Sequence, residues 1–233
     1  NIRKSLRYLL SSNIGEVLTM FFGVLLADVI GLVPPEAGAI ALPLLATHVL
    51  WVNLVTHGPP ALALGVDPPD ADVMQHGPRP YGEGVVTRAM WTSIVFVGVT
   101  MASGTLLVLD ASLPGGLIEG TGDIRYAQTM AFTTLVFFSL FTVFNARSED
   151  RNAFAGLFTT AWLWTAVFAS VLLQASVIYV PFLQQAFSTV ALRTSDWLIC
   201  GAVGSSVLWL VEIKKLLVRA LNTAPMRGRQ TSS

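Results

Sequence analysis

Asn53, Thr56 and His57 stand three and four residues apart, which puts an amide, a hydroxyl and an imidazole on one face of a helix. Gly58-Pro59-Pro60 follows at once, so this apolar segment carries a helix-breaking signal beside its polar cluster. Earlier in the chain, Asn13 and Glu16 are also three apart, among Leu9, Leu10, Ile14, Val17 and Leu18. Together these residues offer two amide oxygens, a carboxylate, a hydroxyl and an imidazole, and carbonyls freed before the prolines would add to them. Oxygen-rich ligation of low symmetry suits a hard cation such as calcium. The imidazole fits that picture poorly, because it favours zinc, copper, nickel or iron. His57 therefore has three open roles: cation ligand, proton carrier, or neutral hydrogen-bonded histidine in a degenerate site. Glu16 has two, an ion-binding carboxylate or a protonated structural one.

The elements that would position these groups are membrane spans. The chain has 233 residues, 53% hydrophobic and 12% charged, against roughly 25% charged in soluble domains. An integral membrane protein follows, because a soluble fold of this length needs more charge. An ionisable group inside such a span is by default a functional-site candidate. Six segments reach the ~20 apolar residues a spanning helix needs: about 5–33, 42–66, 86–109, 126–145, 155–180 and 195–218. The expected fold is all-α, a bundle of six transmembrane helices in one membrane domain over 1–233.

An even number of spans puts both termini on one side of the bilayer. Of the 14 Lys and Arg residues, only Arg125 and Arg193 fall opposite them. This positive-inside bias places both termini and the loop 67–87 in the cytoplasm. The net charge of zero gives no sign of a nucleic-acid partner, and the expected partner is the lipid bilayer. The lone Cys200 excludes an intrachain disulfide and reads as a packing residue. The pairs Gly98–Ala102 and Gly201–Ser205 have the spacing that lets helices approach closely. Asp28 lies about 18 Å along the first helix from Glu16 at 1.5 Å per residue, towards the outer surface. Asp110, Glu119 and Asp123 fit a solvated outer loop, and Glu212 and Lys215 fit a local ion pair. The chain opens on Asn1, which reads as an excised piece or incomplete reading frame.

The run Arg7-Tyr-Leu-Leu-Ser-Ser-Asn-Ile-Gly-Glu16 resembles the fifth membrane helix of P-type calcium-transporting ATPases. Leu50-Trp-Val-Asn-Leu-Val-Thr56, Gly58, Pro60, Ala61, Ala63-Leu-Gly65 and Pro68-Pro-Asp70 resemble the sixth. The likeness continues through Met74 and Pro78-Arg79 and returns at Ser195-Asp-Trp197 and Glu212-Ile-Lys-Lys215. It implies that the chain is the carboxy-terminal membrane half of such a pump, helices five to ten, located in the plasma membrane. It implies further that Glu16, Asn13 and Asn53 ligate the transported cation, calcium or another divalent ion, with Thr56 nearby. The family carries an aspartate where this chain has His57, and two-site members carry an ion-binding glutamate where this chain has Ser139. One site, or an altered one, is the implication.

The family's phosphorylated Asp-Lys-Thr-Gly-Thr motif does not occur in this sequence. ATP and magnesium would therefore act only in domains outside it, and the chain is not expected to hydrolyse ATP alone. The loop 67–87 would touch the phosphorylation domain of the missing amino-terminal half. A competing expectation is a catalytically silent membrane module or pump remnant.

Overall fold

The computed structural model describes residues 2–32, 40–66, 86–147 and 161–223. The loop 67–87, expected to meet the missing half, lies outside the described residues except for its last two positions. Among the described residues there is no strand, and helices follow one another throughout. These are α1 (Ile2–Leu25), α2 (Ala46–Trp51), a π-helical turn (Val52–His57), α3 (Gly58–Gly65) and α4 (Arg88–Asp110). The series continues with α5 (Ile124–Arg147), α6 (Ala161–Tyr179), α7 (Pro181–Phe187) and α8 (Thr194–Thr223). Five of them, α1, α4, α5, α6 and α8, are long and apolar enough to cross a membrane. The remaining expected span is the segmented helical run from Ala46 to Gly65.

Position within the bundle follows from what each helix can cover. The apolar window of α5 is almost wholly buried, whereas those of α6 and α8 are mostly exposed. Leu135, Phe132, Phe138 and Leu140 of α5 anchor a core that also takes Met101 of α4 and Val207 of α8. A helix apolar all round belongs at the centre. Trp162, Phe168, Leu198 and Leu216 are left on the outside. In water such a surface would be an aggregation hazard, and in a bilayer it is the solvated face.

Helix α1 stops at Leu25, earlier than the expected end near residue 33. Hydrogen-bonded turns carry the chain on to Gly31, which has a φ of 68°. A Cβ there would lie 2.6 Å from the Pro114 carbonyl oxygen, so conformation and space both require glycine. Asp110 also departs from expectation. Rather than facing water in a loop, it is buried at the end of α4, and its carboxylate accepts hydrogen bonds from Leu117 N and Ile118 N at 2.8 and 2.9 Å. It folds the loop that follows α4 back on that helix. The pair Glu212–Lys215 does meet, at 2.9 Å.

The small residues divide unequally. A Cβ on Gly98 would lie 2.5 Å from Ile14 Cγ2, so α4 approaches α1 through that glycine. Gly201, by contrast, has nothing within 4 Å of an added Cβ, and the close approach of α8 to Phe137 runs through Gly204. We expect Gly98→Val to destabilise the protein by about 1–3 kcal/mol, the usual cost of overpacking. Gly201→Ala is expected to be neutral. Thermal midpoints of the two variants in detergent micelles check this, and equal midpoints would reject the assigned contact.

Candidate functional site

Span two carries two adjacent prolines, and each removes a backbone N–H that would bond the carbonyl four residues earlier. The carbonyls of Val55 and Thr56 thereby lose their helical donors. The chain does not unwind at Gly58-Pro59-Pro60, as the breaker signal suggested. It stays helical, with proline at the start of α3, and absorbs the mismatch in the wider π turn over Val52–His57. Turns of this type concentrate at functional sites. Both released carbonyls are taken by side chains from neighbouring helices. Tyr8 OH donates to Thr56 O at 3.0 Å, and Ser170 Oγ donates to Val55 O at 3.2 Å. Ser5 Oγ adds a bond to Ala61 O at 3.1 Å. The Val55 and Thr56 carbonyls, expected to contribute to a cation site, each accept one side-chain hydrogen bond here and keep a second lone pair.

The π turn delivers its polar side chains to α1. Glu16 is buried, and Asn53 Nδ2 donates to its Oε2 at 2.6 Å while also reaching Val49 O at 3.0 Å. His57, buried as well, places Nε2 3.5 Å from Glu16 Oε1. The edge of the Tyr8–His57 ring pair, with centroids 5.6 Å apart, closes the cluster on one side. The carboxylate is thus met by an amide and an imidazole, groups that offer partial positive charge where a cation would offer a full one.

Ser139 of α5 lies 3.1 Å from His57 Nε2. Its hydroxyl hydrogen is directed to Leu135 O at 3.0 Å, so its oxygen accepts from the imidazole N–H. That assigns the proton to Nε2 and leaves Nδ1 with a lone pair. Four buried polar atoms of this neighbourhood have no hydrogen-bond partner: Glu16 Oε1, Thr56 Oγ1, His57 Nδ1 and Ser12 Oγ. Each unpartnered buried polar atom is costly, and one of these four belongs to the Glu16 carboxylate itself.

Of the five residues singled out from sequence, Glu16, Asn53 and His57 converge, and Thr56 is buried in the same turn. Asn13 is not part of the cluster. It is exposed on α1 and has no hydrogen bond to either Glu16 or Asn53. Asn53 too is exposed at its outer edge. An apolar groove of about 520 Å³, lined by Val17, Met20, Phe21 and Val49, leads along α1 with Glu16 as its one acidic member. The residues that sequence reading missed are Tyr8 and Ser170. Their signal was the proline pair itself, which demands two donors from elsewhere but does not say where they sit.

His48 belongs to a separate arrangement. It stacks on Phe132 with centroids 4.5 Å apart, and its Nε2 lies 2.7 Å from Phe187 O. Trp51 and Thr133 both hydrogen-bond Gln174 of α6. These bonds fasten α2 to the helices behind it and hold the π turn from its other end.

Residues 41–217 match the family described as cation transporting ATPase, C-terminus. The calcium-transporting ATPase of Bacillus subtilis (strain 168) is 41% identical over 208 residues, covering 89% of this chain and 21% of that protein. Calcium-transporting ATPase 1 of Yarrowia lipolytica is 37% identical over 182 residues, 78% of this chain and 19% of the relative. Calcium-transporting ATPase type 2C member 2 of Mus musculus is 37% identical over 183 residues, again 78% and 19%. The chain thus spans about a fifth of the length of the curated relatives it matches.

Loss of a donor to a proline-released carbonyl should be felt as instability. Tyr8→Phe keeps the ring and removes the bond to Thr56 O, at an expected cost of about 1–3 kcal/mol. Ser170→Ala should cost less, since a hydroxyl is removed from a part-buried position. Thermal unfolding in detergent measures both, and a Tyr8→Phe midpoint equal to wild type would refute the role given to Tyr8.

Proposed function

Because the chain belongs to the P-type cation-transporting ATPases, as a carboxy-terminal membrane part, we propose that it is the ion-binding and translocation part of an ATP-driven pump. The cargo is calcium or another divalent cation, calcium being what the relatives are named for. The single observation that carries the reading is the meeting of the buried Glu16 with Asn53, 2.6 Å apart, across α1 and the π turn. In the complete protein Glu16 supplies the charge, and Asn53 turns its amide to present oxygen when the cation enters. Asn13 supplies a second amide, and Thr56 assists through its unpartnered hydroxyl. The exposed edge at Asn13 and Asn53 is where the remaining part of the pump covers the site.

His57 occupies the position of a family aspartate and sets the selectivity of this pump apart. With Ser139 in place of a second carboxylate, the chain contributes a single site. The whole of 1–233 acts as one membrane domain in the plasma membrane, with both termini in the cytoplasm as the distribution of Lys and Arg indicates. The loop 67–87 meets the phosphorylation domain, where ATP and magnesium do their chemistry. That loop relays the phosphorylation state to the adjoining α3 and α4.

Reconstitution of the full-length protein in vesicles, with ATP-dependent uptake of calcium, manganese and zinc as readout, tests the proposal. Glu16→Gln and Asn53→Ala should each weaken apparent cation affinity about 10- to 100-fold, as expected for losing a contact to a charged group. Unchanged uptake in Glu16→Gln would overturn it. Absence of uptake in the wild type would return the chain to the silent-module reading.

A further inference from the structure

We propose that Ser170 and Gln174 of α6 are positioning residues for the cation site, holding the segmented span at the two points that flank Asn53. Apparent cation affinity is thereby set in part from a helix that carries none of Asn13, Glu16, Asn53, Thr56 and His57. The inference rests on the pump reading above and extends it to residues that touch no ion.

Helix α6 has one enclosed stripe. Leu163, Ala166, Ser170, Gln174 and Val177 recur at helical spacing and are all buried. Trp162 and Phe168, on other faces of the same helix, are exposed. Apolar side chains would serve packing at every place on that stripe, yet a hydroxyl and an amide stand at two of them. Polar groups at membrane depth are costly and ask for partners. Both find them, and both reach the same neighbour, the helical run that carries Asn53.

Ser170 Oγ–H donates to Val55 O at 3.2 Å, the carbonyl that Pro59 deprives of its helical donor. One turn further along α6, Gln174 Oε1 accepts from Trp51 Nε1–H at 3.2 Å. The Gln174 amide nitrogen donates in turn to Thr133 Oγ1 of α5 at 3.4 Å, so the acceptor that holds Trp51 is tied to the central helix. Four residues forward on α6 thus match four residues backward on its neighbour, the register of an antiparallel pair. Asn53 lies midway between the two anchors, about half a turn from each. Its side chain goes the other way, to Glu16 Oε2 on α1 at 2.6 Å. Asn53 is itself exposed, and its second bond runs to Val49 O within its own helical run. The backbone beneath it is therefore placed from behind, by α6. Groups that fix a ligand from behind govern ion affinity as well as the ligands do.

The test uses the reconstituted full-length pump. ATP-dependent uptake is measured against free cation for whichever of calcium, manganese and zinc the wild type takes up. Gln174→Leu and Ser170→Ala should each raise the half-saturating concentration about 3- to 10-fold, as expected for one neutral hydrogen bond. The maximal rate should stay near that of wild type. Trp51→Phe removes the donor and keeps the ring against Phe187. It should give a similar shift, and Gln174→Leu should add little to it, because both act through one bond. Val177→Ala, on the same stripe, opens a cavity instead and should lower the thermal midpoint without moving the half-saturating concentration. Should Gln174→Leu fail to fold, Trp51→Phe and Ser170→Ala carry the test.

Half-saturating concentrations equal to wild type in Gln174→Leu, Trp51→Phe and Ser170→Ala would overturn the positioning role. So would a fall in maximal rate alone, or a shift in Val177→Ala as large as theirs. Full additivity in the Gln174→Leu and Trp51→Phe pair would overturn it as well. In each of these cases, loss of uptake in Glu16→Gln leaves the pump reading standing. If the wild type takes up no cation, both fall.

Discussion

A carboxylate enclosed by helices has to be met by donors, and in this chain Glu16 is met from a neighbouring span. Asn53 and His57 both reach it from the π turn wound between Val52 and His57. In an α-helix, residues four apart are rotated by about 40°, and the wider turn changes that relation. The carboxylate, the amide and the imidazole therefore depend on one local backbone geometry. That geometry depends in turn on two prolines whose missing N–H groups are compensated by Tyr8 and Ser170.

This arrangement explains why α5 is the centre of the bundle. It supplies Ser139 to His57, Phe132 to the ring of His48, and Thr133 to Gln174. The helix is thus a rigid support behind the entire segmented span. The tight approach of α4 to α1 at Gly98 fixes the helix that carries Glu16 from the opposite side. The exposed apolar faces of α6 and α8 demand little positional accuracy, since lipid is their partner.

The two departures from the family's ligand pattern are linked in space. His57 and Ser139 are 82 positions apart in the chain but 3.1 Å apart in the fold. The two positions at which the resemblance implies an aspartate and a glutamate hold groups that hydrogen-bond one another. One carboxylate and a neutral pair remain.

Several features were legible in the residues alone. Low charge and long apolar runs established an all-helical membrane protein, because a bilayer leaves the backbone few other options. Glu16, Asn53, Thr56 and His57 could be singled out because each is a polar group in a costly place, and the proline pair marked irregular backbone beside them. The outcome of that irregularity was not legible. Whether the chain unwinds or winds more widely depends on donors 48 and 115 residues away, Tyr8 and Ser170, which no local pattern reveals. Asn13 illustrates the same limit, since helical spacing relates it to Glu16 but only packing decides which of them is enclosed. Residue type and spacing determined which groups are available. Tertiary contacts decided which of them meet, because burial and hydrogen-bond satisfaction are properties of neighbours distant in the chain.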